Sequence, residues 1–334
     1  MCRHLAYLGP PASLRSLLID PPHSLYRQAW APRRQRHGTV NADGFGIGWY
    51  AGSDPVPARY RRGEPIWGDP SLPDLARVIR SGAVLAAVRS ATPGTAAGPE
   101  AAAPFGCGSW LFSHNGAAQG WRDWGEAAYQ SRADLARPPE AGGVTARPGE
   151  PSRGEPSAAA LSAGPPTGEP LSLLSCLEAL SDSALLWALT RQRLRAGLPL
   201  GAALAGTVGA VEAAGGTGRL NLLITDGRSV AATAYGDTLW YRQTAPDASG
   251  REDTAQAGRR ENGPERDGIA SVTVASEPDD DGPGWTEVPD RHVLTATPPQ
   301  VRVRPLSDLS DHGSPHDHDS PPGNDVRTEG IATS

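Results

Sequence analysis

The sequence predicts one α+β domain built on antiparallel sheets. Short segments typical of strands lie in two groups along the chain, and the two clearest helical patterns lie between these groups. A two-residue turn signal joins neighbouring strands of the second group, which is typical of antiparallel pairs. The chain has 334 residues, but its 40 Gly and 33 Pro are unevenly distributed, and the part that can pack is about the size of one domain.

The first group contains four predicted strands. Residues 2–8 alternate enough for a strand, and residues 43–50 form a glycine-rich strand of the kind that packs closely in a sheet. Residues 83–88 are wholly apolar, which indicates a buried strand ending at Arg89, and residues 110–114 form a fourth. Polar residues at strand ends are typical of a site along a sheet edge.

Two helices and a second group of strands follow. Ser181 is predicted to cap a helix with Asp182 in its first turn, where the helix dipole favours negative charge. A second helix is predicted at residues 199–214, and Asp226-Gly227 is the turn signal between two later strands. The predicted strands of this group are residues 219–225, 229–235, 238–242, 270–275, 291–294 and 300–303.

Three segments are predicted to lie outside the packed domain. Residues 137–172 and 243–268 are polar insertions whose composition cannot offset the entropy of ordering, so we expect both to be disordered. The polar tail, residues 305–334, is expected to be disordered as well. The domain is therefore predicted to span residues 2–304.

Composition excludes several classes of partner. A formal charge of -6 and a pI near 5.8 argue against nucleic acid, which a clustered basic face would bind. No stretch approaches the ~20 apolar residues of a membrane span, and the N-terminus lacks the pattern of a signal peptide. We therefore expect a cytoplasmic protein with a small-molecule substrate and no membrane partner, and a homo-oligomer stays open.

The cysteines predict neither disulfides nor a metal site. Cys2, Cys107 and Cys176 have no paired or metal-ligand spacing, and Cys107 and Cys176 are most simply small buried residues. We expect no metal and no cofactor. One alternative is a tail that binds metal, because aspartates there alternate with three histidines: His312, His316 and His318. A solvated tail is favoured over it.

Cys2 is the most informative residue, because it directly follows the initiator Met1. Its small side chain allows Met1 to be removed, which leaves a thiol and a free α-amine on one residue. An α-amine titrates near neutral pH, so that residue can supply both a nucleophile and its base. The alternative is that a cysteine at position 2 is an accident of the start of the chain.

Four pieces of sequence together resemble a known family. Cys2 is followed in order by Val-Arg-Ser-Ala-Thr at 88–92, Ser-His-Asn-Gly at 113–116 and Ser-Asp-Ser at 181–183. This order resembles the class II glutamine amidotransferase domains, which are N-terminal-nucleophile hydrolases, and the resemblance covers residues 2–303. It implies a four-layer αββα sandwich of two antiparallel sheets.

The resemblance also implies how a γ-glutamyl group is bound. Arg89 offers a planar guanidinium for the α-carboxylate, and Thr92 adds a hydroxyl donor. Asp182 takes the α-ammonium. The alternatives are that Arg89 is a structural ion-pair partner and that Asp182 is only a first-turn charge.

The catalytic residues that the resemblance implies are Cys2, Asn115 and Gly116. Cys2 is the nucleophile, and the Asn115 side-chain amide and the Gly116 backbone N–H form the oxyanion hole. The alternative for Asn115-Gly116 is a hairpin turn, a common use of that dipeptide. His114 is expected to be structural, because the α-amine already provides the base.

The sequence favours a hydrolase that acts alone, because no ammonia-acceptor domain is expected after residue 303. Residues 41–50 and 275–278 resemble the stand-alone branch of the family, and within it the amidohydrolases of ergothioneine biosynthesis, whose substrate is a γ-glutamyl cysteine sulfoxide. The alternatives are a glutaminase subunit that supplies a separate synthase and a hydrolase of glutathione or other γ-glutamyl peptides. The chain departs from nitrogen-donor members at Ser90, Pro93 and Ala184.

Overall fold

Two antiparallel sheets pack face to face, with helices on both outer faces. The computed structural model describes residues 2–52, 54–92, 94–130, 177–244 and 270–310. This arrangement has four layers in the order αββα and confirms the predicted fold class.

The first sheet has seven strands, and β1 and β4 lie near its centre. The order across the sheet is β11 (Trp285–Glu287), β9 (Trp240–Thr244), β10 (Ser271–Ala275), β1 (Arg3–Ser13), β4 (Arg80–Val88), β2 (Phe45–Trp49) and β3 (Ala58–Arg62).

The second sheet has six strands and contains the longest strand after β1, which is β6. The order is β13 (Gln300–Pro305), β12 (His292–Thr297), β8 (Val230–Ala234), β7 (Thr217–Thr225), β6 (Trp110–Gln119) and β5 (Phe105–Cys107).

Helices cover the outer face of each sheet. The first sheet is covered by α1 (Leu14–Leu18), α2 (Leu25–Gln28) and α3 (Leu72–Val78), and the second by α4 (Trp121–Gln130), α5 (Asp182–Arg195) and α6 (Leu200–Ala213). A last short helix, α7, spans Ser307–Ser310. In the parts of the chain that the structure describes, no helix is long and apolar enough to cross a membrane.

The alternation of β1 shows how the layers form. Ala6 and Leu8 pack in the apolar cluster between the sheets, whereas Leu5 and Tyr7 pack beneath α1 to α3. Successive side chains of a strand point to opposite faces, so β1 is apolar on both faces because both faces are covered.

Strands of the first sheet share one end, which we call the Cys2 end. There Arg3 pairs with Val88, Val88 with Phe45, and Phe45 with Arg62. Strand β1 begins at this end, β4 ends there, β2 begins there and β3 ends there.

Every predicted strand and both predicted helices are present, although several bounds differ. Strand β6 continues to Gln119, well beyond the predicted end at 114. The first residues of the predicted tail belong to the fold, because Pro305 ends β13 and Leu306 is buried beside α7. The rest of the tail, the insertion at 137–172 and Cys176 lie outside the described residues, as does the second insertion beyond Thr244. Cys107 is half-buried rather than buried.

Candidate active site

Cys2 lies at the Cys2 end, beside the residues that follow β4. Its side chain is half-buried, and its Sγ lies 4.0 Å from the carbonyl oxygen of Ser90. Arg89 directly precedes Ser90, so the pairing of β1 with β4 brings the predicted nucleophile next to the predicted carboxylate-binding segment.

A buried serine connects the strand of Cys2 with Asn115. The Ser276 Oγ accepts a hydrogen bond from the His4 backbone N–H at 3.0 Å, and it lies 3.4 Å from the Asn115 Nδ2, which donates to it. The Ser276 N–H in turn donates to the His4 carbonyl oxygen at 3.0 Å. Asn115 is fully buried, and its Oδ1 has no hydrogen-bond partner among the described residues.

His4 is held neutral inside this cluster. It is fully buried, its Nδ1 lies 3.2 Å from the Ser113 Oγ, and its Nε2 has no hydrogen-bond partner in the described chain. Burial, with smaller contributions from His114 and Arg3, lowers the pKa of His4 to about 3. A neutral imidazole with so low a pKa is a poor proton acceptor at neutral pH, so His4 has a structural rather than a basic character.

Asn115 and Gly116 lie inside β6 and not in a hairpin turn, so that alternative was wrong. They pair with Asn221 and Leu220 of β7. A Cβ at position 116 would lie 1.9 Å from the Arg219 carbonyl oxygen, so the strands approach too closely for any residue except glycine.

Arg89 is buried and tethers the loop that follows it. Its guanidinium donates to the Asp43 carbonyl oxygen at 3.2 Å, to the Thr95 Oγ1 at 3.1 Å and to the Ala96 carbonyl oxygen at 2.8 Å. Thr92 is half-buried in this loop, and its carbonyl oxygen accepts from the Thr95 N–H and Oγ1. No ion pair of Arg89 exists among the described residues, so the alternative of a structural ion-pair partner finds no support there.

Asp182 connects α5 to β6. The Ser181 Oγ accepts from the Ala184 N–H and caps the helix as predicted, which places Asp182 in the first turn. One Asp182 oxygen accepts from the Ala118 N–H at 3.0 Å and the other from the Ser183 N–H at 2.8 Å. The carboxylate is buried beside β6, two residues beyond Gly116, and is therefore more than a first-turn charge.

His114 is structural, as the sequence predicted. Its Nε2 donates to the Arg219 carbonyl oxygen at 2.9 Å, and its Nδ1 lies 3.0 Å from the Ser183 Oγ. Burial lowers its pKa, with Asp182 opposing that shift, so the ring is neutral and spans β7 and the start of α5.

Three residues of this region were not predicted from the sequence: Arg3, His4 and Ser276. Arg3 is fully buried, and all three guanidinium nitrogens lack a hydrogen-bond partner among the described residues. Burial lowers its pKa, while Glu277, Asp237 and Cys2 act in the opposite direction. The one available signal was the string at 275–278, which indicates a branch of the family but not a contact with Asn115.

The predicted absence of a metal site can be examined only in the described ranges. No group of three or more His, Cys, Asp or Glu side chains there could hold an ion. The histidines of the predicted tail site lie outside those ranges.

Comparison with solved structures defines the class. A class II glutamine aminotransferase domain protein of Silicibacter pomeroyi is 20% identical, with a TM-score of 0.53 over 91% of this chain and 99% of that one. Phosphoribosylpyrophosphate amidotransferase of B. subtilis gives a TM-score of 0.51 at 13% identity, over 91% of this chain and 49% of that one. The fold is that of the class II glutamine amidotransferases.

Sequence relatives narrow this class. No protein-family model matches the chain. The γ-glutamyl-hercynylcysteine sulfoxide hydrolase of Mycolicibacterium smegmatis is 36% identical over 92% of this chain and 100% of its own length. The Mycobacterium tuberculosis protein of the same name is also 36% identical, over 92% of this chain and 97% of its own. The chain belongs to the γ-glutamyl-hercynylcysteine sulfoxide hydrolase family, which confirms the resemblance seen in the sequence.

Proposed function

We propose that this protein hydrolyses the γ-glutamyl amide bond of γ-glutamyl-hercynylcysteine sulfoxide and releases glutamate, as a step of ergothioneine biosynthesis. Identity to named hydrolases over nearly the whole of both chains supports this substrate. The observation that carries the chemistry is the link between the strand that follows Cys2 and Asn115, because the Ser276 Oγ accepts both from the His4 backbone N–H and from the Asn115 side-chain amide.

The reaction begins at the mature N-terminus, after removal of Met1. The Cys2 thiol transfers its proton to its own α-amine, and the sulfur attacks the γ-carbonyl carbon. The tetrahedral intermediate then collapses, the C–N bond breaks, and the α-ammonium returns the proton to the leaving nitrogen. Water hydrolyses the resulting thioester, which frees glutamate and restores the thiol.

An oxyanion hole at Asn115 and Gly116 is consistent with the position of β6 in the sheet. Strand β5 pairs with β6 only at Trp110–Phe112, so no described strand pairs with that side of β6 at Gly116. The Ala118 N–H points to this unpaired side of β6, where it donates to the Asp182 carboxylate. Gly116 lies two residues earlier and presents its N–H to the same side.

The spacing along β6 also suits a γ-glutamyl group. Two residues of a strand span about 7 Å, which is the separation along β6 between Gly116 and the anchor of Asp182. The γ-carbonyl oxygen and the α-nitrogen of a glutamyl group are five covalent bonds apart, about 6 Å when extended. Asp182 can therefore hold the ammonium while Gly116 faces the carbonyl.

Arg89 has donors left for the α-carboxylate. A guanidinium has five N–H donors. Three of them donate to Asp43, Thr95 and Ala96, so two remain. Thr92 adds its hydroxyl from the loop after Arg89. A nucleophilic thiol is best kept in a reducing compartment, and we therefore place the reaction in the cytoplasm.

The test compares two half-buried cysteines. Protein whose loss of Met1 is verified by mass spectrometry is incubated with γ-glutamyl-hercynylcysteine sulfoxide, glutathione or glutamine, and glutamate release is measured. Cys2→Ala is expected to abolish release, whereas the matched control Cys107→Ala is expected to keep it, because Cys107 lies at the distant end of β5. Release from the sulfoxide that survives Cys2→Ala would refute the mechanism. A preference for glutamine or glutathione would move the protein to one of the other two functions that the sequence allows.

A further inference from the structure

Trp30 and Trp67 form an open aromatic corner on the surface, which we call the tryptophan corner. The two rings are nearly perpendicular, at 89°, with centroids 5.7 Å apart. They are 42% and 40% exposed, which is unusual for residues of this size, and they border a cleft of about 370 Å³. Tyr26 packs edge-on against Trp30 and helps to hold it in place.

Two other tryptophans of the first sheet already carry a cation. Arg34 lies over the Trp240 ring at 5.1 Å, and Arg242 lies over the Trp285 ring at 4.7 Å. Among the described residues, no guanidinium stands over either ring of the tryptophan corner. The corner therefore offers exposed aromatic surface that no described guanidinium covers and that could receive a cation from outside the protein.

The corner lies at the Cys2 end of the first sheet. The row of paired residues from Arg3 to Arg62 crosses four neighbouring strands, and three strand spacings amount to about 14 Å. Trp67 follows Arg62 by five residues. Trp30 is fixed on the same side, because the next residue back, Ala29, accepts from the Asn41 N–H at the entrance to β2.

The cation of the substrate lies about as far from the scissile bond as Arg62 lies from Arg3 across these strands. Hercynine is histidine with a trimethylated α-nitrogen, and ten covalent bonds join that nitrogen to the γ-carbonyl carbon, about 12 Å when extended. A trimethylammonium group has no N–H to donate, so hydrogen-bond acceptors cannot recognise it specifically, whereas aromatic faces can.

We propose that the tryptophan corner binds the trimethylammonium group of the leaving hercynylcysteine sulfoxide and thereby selects the trimethylated substrate. This inference rests on the proposed function. The corner takes no part in bond cleavage. Its contribution is uniform binding of substrate and transition state, so its loss raises KM and leaves kcat unchanged.

The kinetic test uses Trp30→Leu, Trp67→Leu and the double variant, with Val78→Ala as a control. Val78 is 58% exposed at the end of α3, away from the Cys2 end. Each variant is assayed with the natural sulfoxide and with the γ-glutamyl sulfoxide of S-(imidazol-2-yl)cysteine, which lacks the cation. For the natural substrate the double variant should raise KM about 30-fold, as expected for loss of a desolvated cation–π contact, and KM for the truncated substrate should stay within about twofold. Trp30→Tyr and Trp67→Phe should retain most of the affinity.

Equal loss on both substrates, or no loss on the natural one, would overturn the proposal. A binding arm separates it from the proposed function: calorimetry on the Cys2→Ala protein with hercynine and with histidine. Hercynine should bind more tightly than histidine, and the preference should vanish in the protein that also carries both leucines. If the two amino acids bind equally, the corner is not a trimethylammonium site. If the wild-type protein releases no glutamate while hercynine binding depends on the corner, the proposed function fails and the corner stands.

Discussion

Removal of the Ser276 hydroxyl tests whether the Asn115 amide, which we propose stabilises the oxyanion, is held in place by the strand that follows Cys2. Ser276→Ala leaves the buried His4 N–H without its acceptor and removes the 3.4 Å contact of the Asn115 amide with that hydroxyl. An unsatisfied buried donor costs about 1–3 kcal/mol, which should appear as a lower free energy of unfolding. Loss of an oxyanion donor costs about 100- to 1000-fold in rate, and we expect a misplaced donor to cost about 10- to 100-fold in kcat.

Ser113→Ala is the matched control. Ser113 is equally buried and contacts His4 from the other side, through the imidazole Nδ1 at 3.2 Å, but it does not bond to Asn115. Both variants should therefore lose similar stability in denaturant titrations. Only Ser276→Ala should lose kcat, measured by glutamate release at a temperature where both are folded. Equal kcat in the two variants would refute the positioning role of Ser276.

Two further predictions follow from burial and close contact. Gly116→Ala places a Cβ 1.9 Å from the Arg219 carbonyl oxygen, so it should lower the free energy of unfolding by about 1–3 kcal/mol and remove most of the activity. Its control is Gly209→Ala, at a helical glycine with open space around it, which should stabilise the protein by about 1 kcal/mol and leave kcat unchanged. His4 has a folded pKa of about 3, below its ordinary value of 6.5, so the unfolded chain binds the extra proton between these pH values. Wild-type stability should thus fall as pH drops from 6.5 towards 3, by up to about 1.4 kcal/mol per pH unit from this residue, and urea midpoints of His4→Gln should depend less on pH; equal slopes would contradict the assignment.

The strands that the sequence predicted are mostly those whose faces are covered by another layer of the fold. Strand β4 is a continuous apolar run because both of its faces are covered. The missed strands lack that signal: β3 reads Ala-Arg-Tyr-Arg-Arg at a sheet edge, and β5 and β11 have three residues each. Helices α1 and α2 are five and four residues long, too short for a helical period to emerge.

Strand β6 shows where local preference fails. Asn115-Gly116 favours a turn in isolation, but pairing with β7 from Leu111 to Gln119 overrides that preference. The position of Asn115 near Cys2 could still be expected from the family resemblance. The role of Ser276 could not, because its bond to His4 joins residues 272 positions apart, and one serine in a strand-like string carries no sign of such a contact.

The placement of Asn115-Gly116 in a paired strand also bears on the chemical lifetime of the protein. In a mobile turn, an Asn-Gly pair readily closes to a succinimide, because the glycine nitrogen can reach the asparagine side-chain carbonyl, and hydrolysis then leaves an aspartate. Here both residues are held in extended backbone and Asn115 is shielded from water, so the nitrogen cannot reach that carbonyl. A negative charge at the proposed oxyanion hole would repel the oxyanion and should abolish glutamate release. The pairing of β6 with β7 therefore protects the Asn115 amide from deamidation and also fixes its orientation.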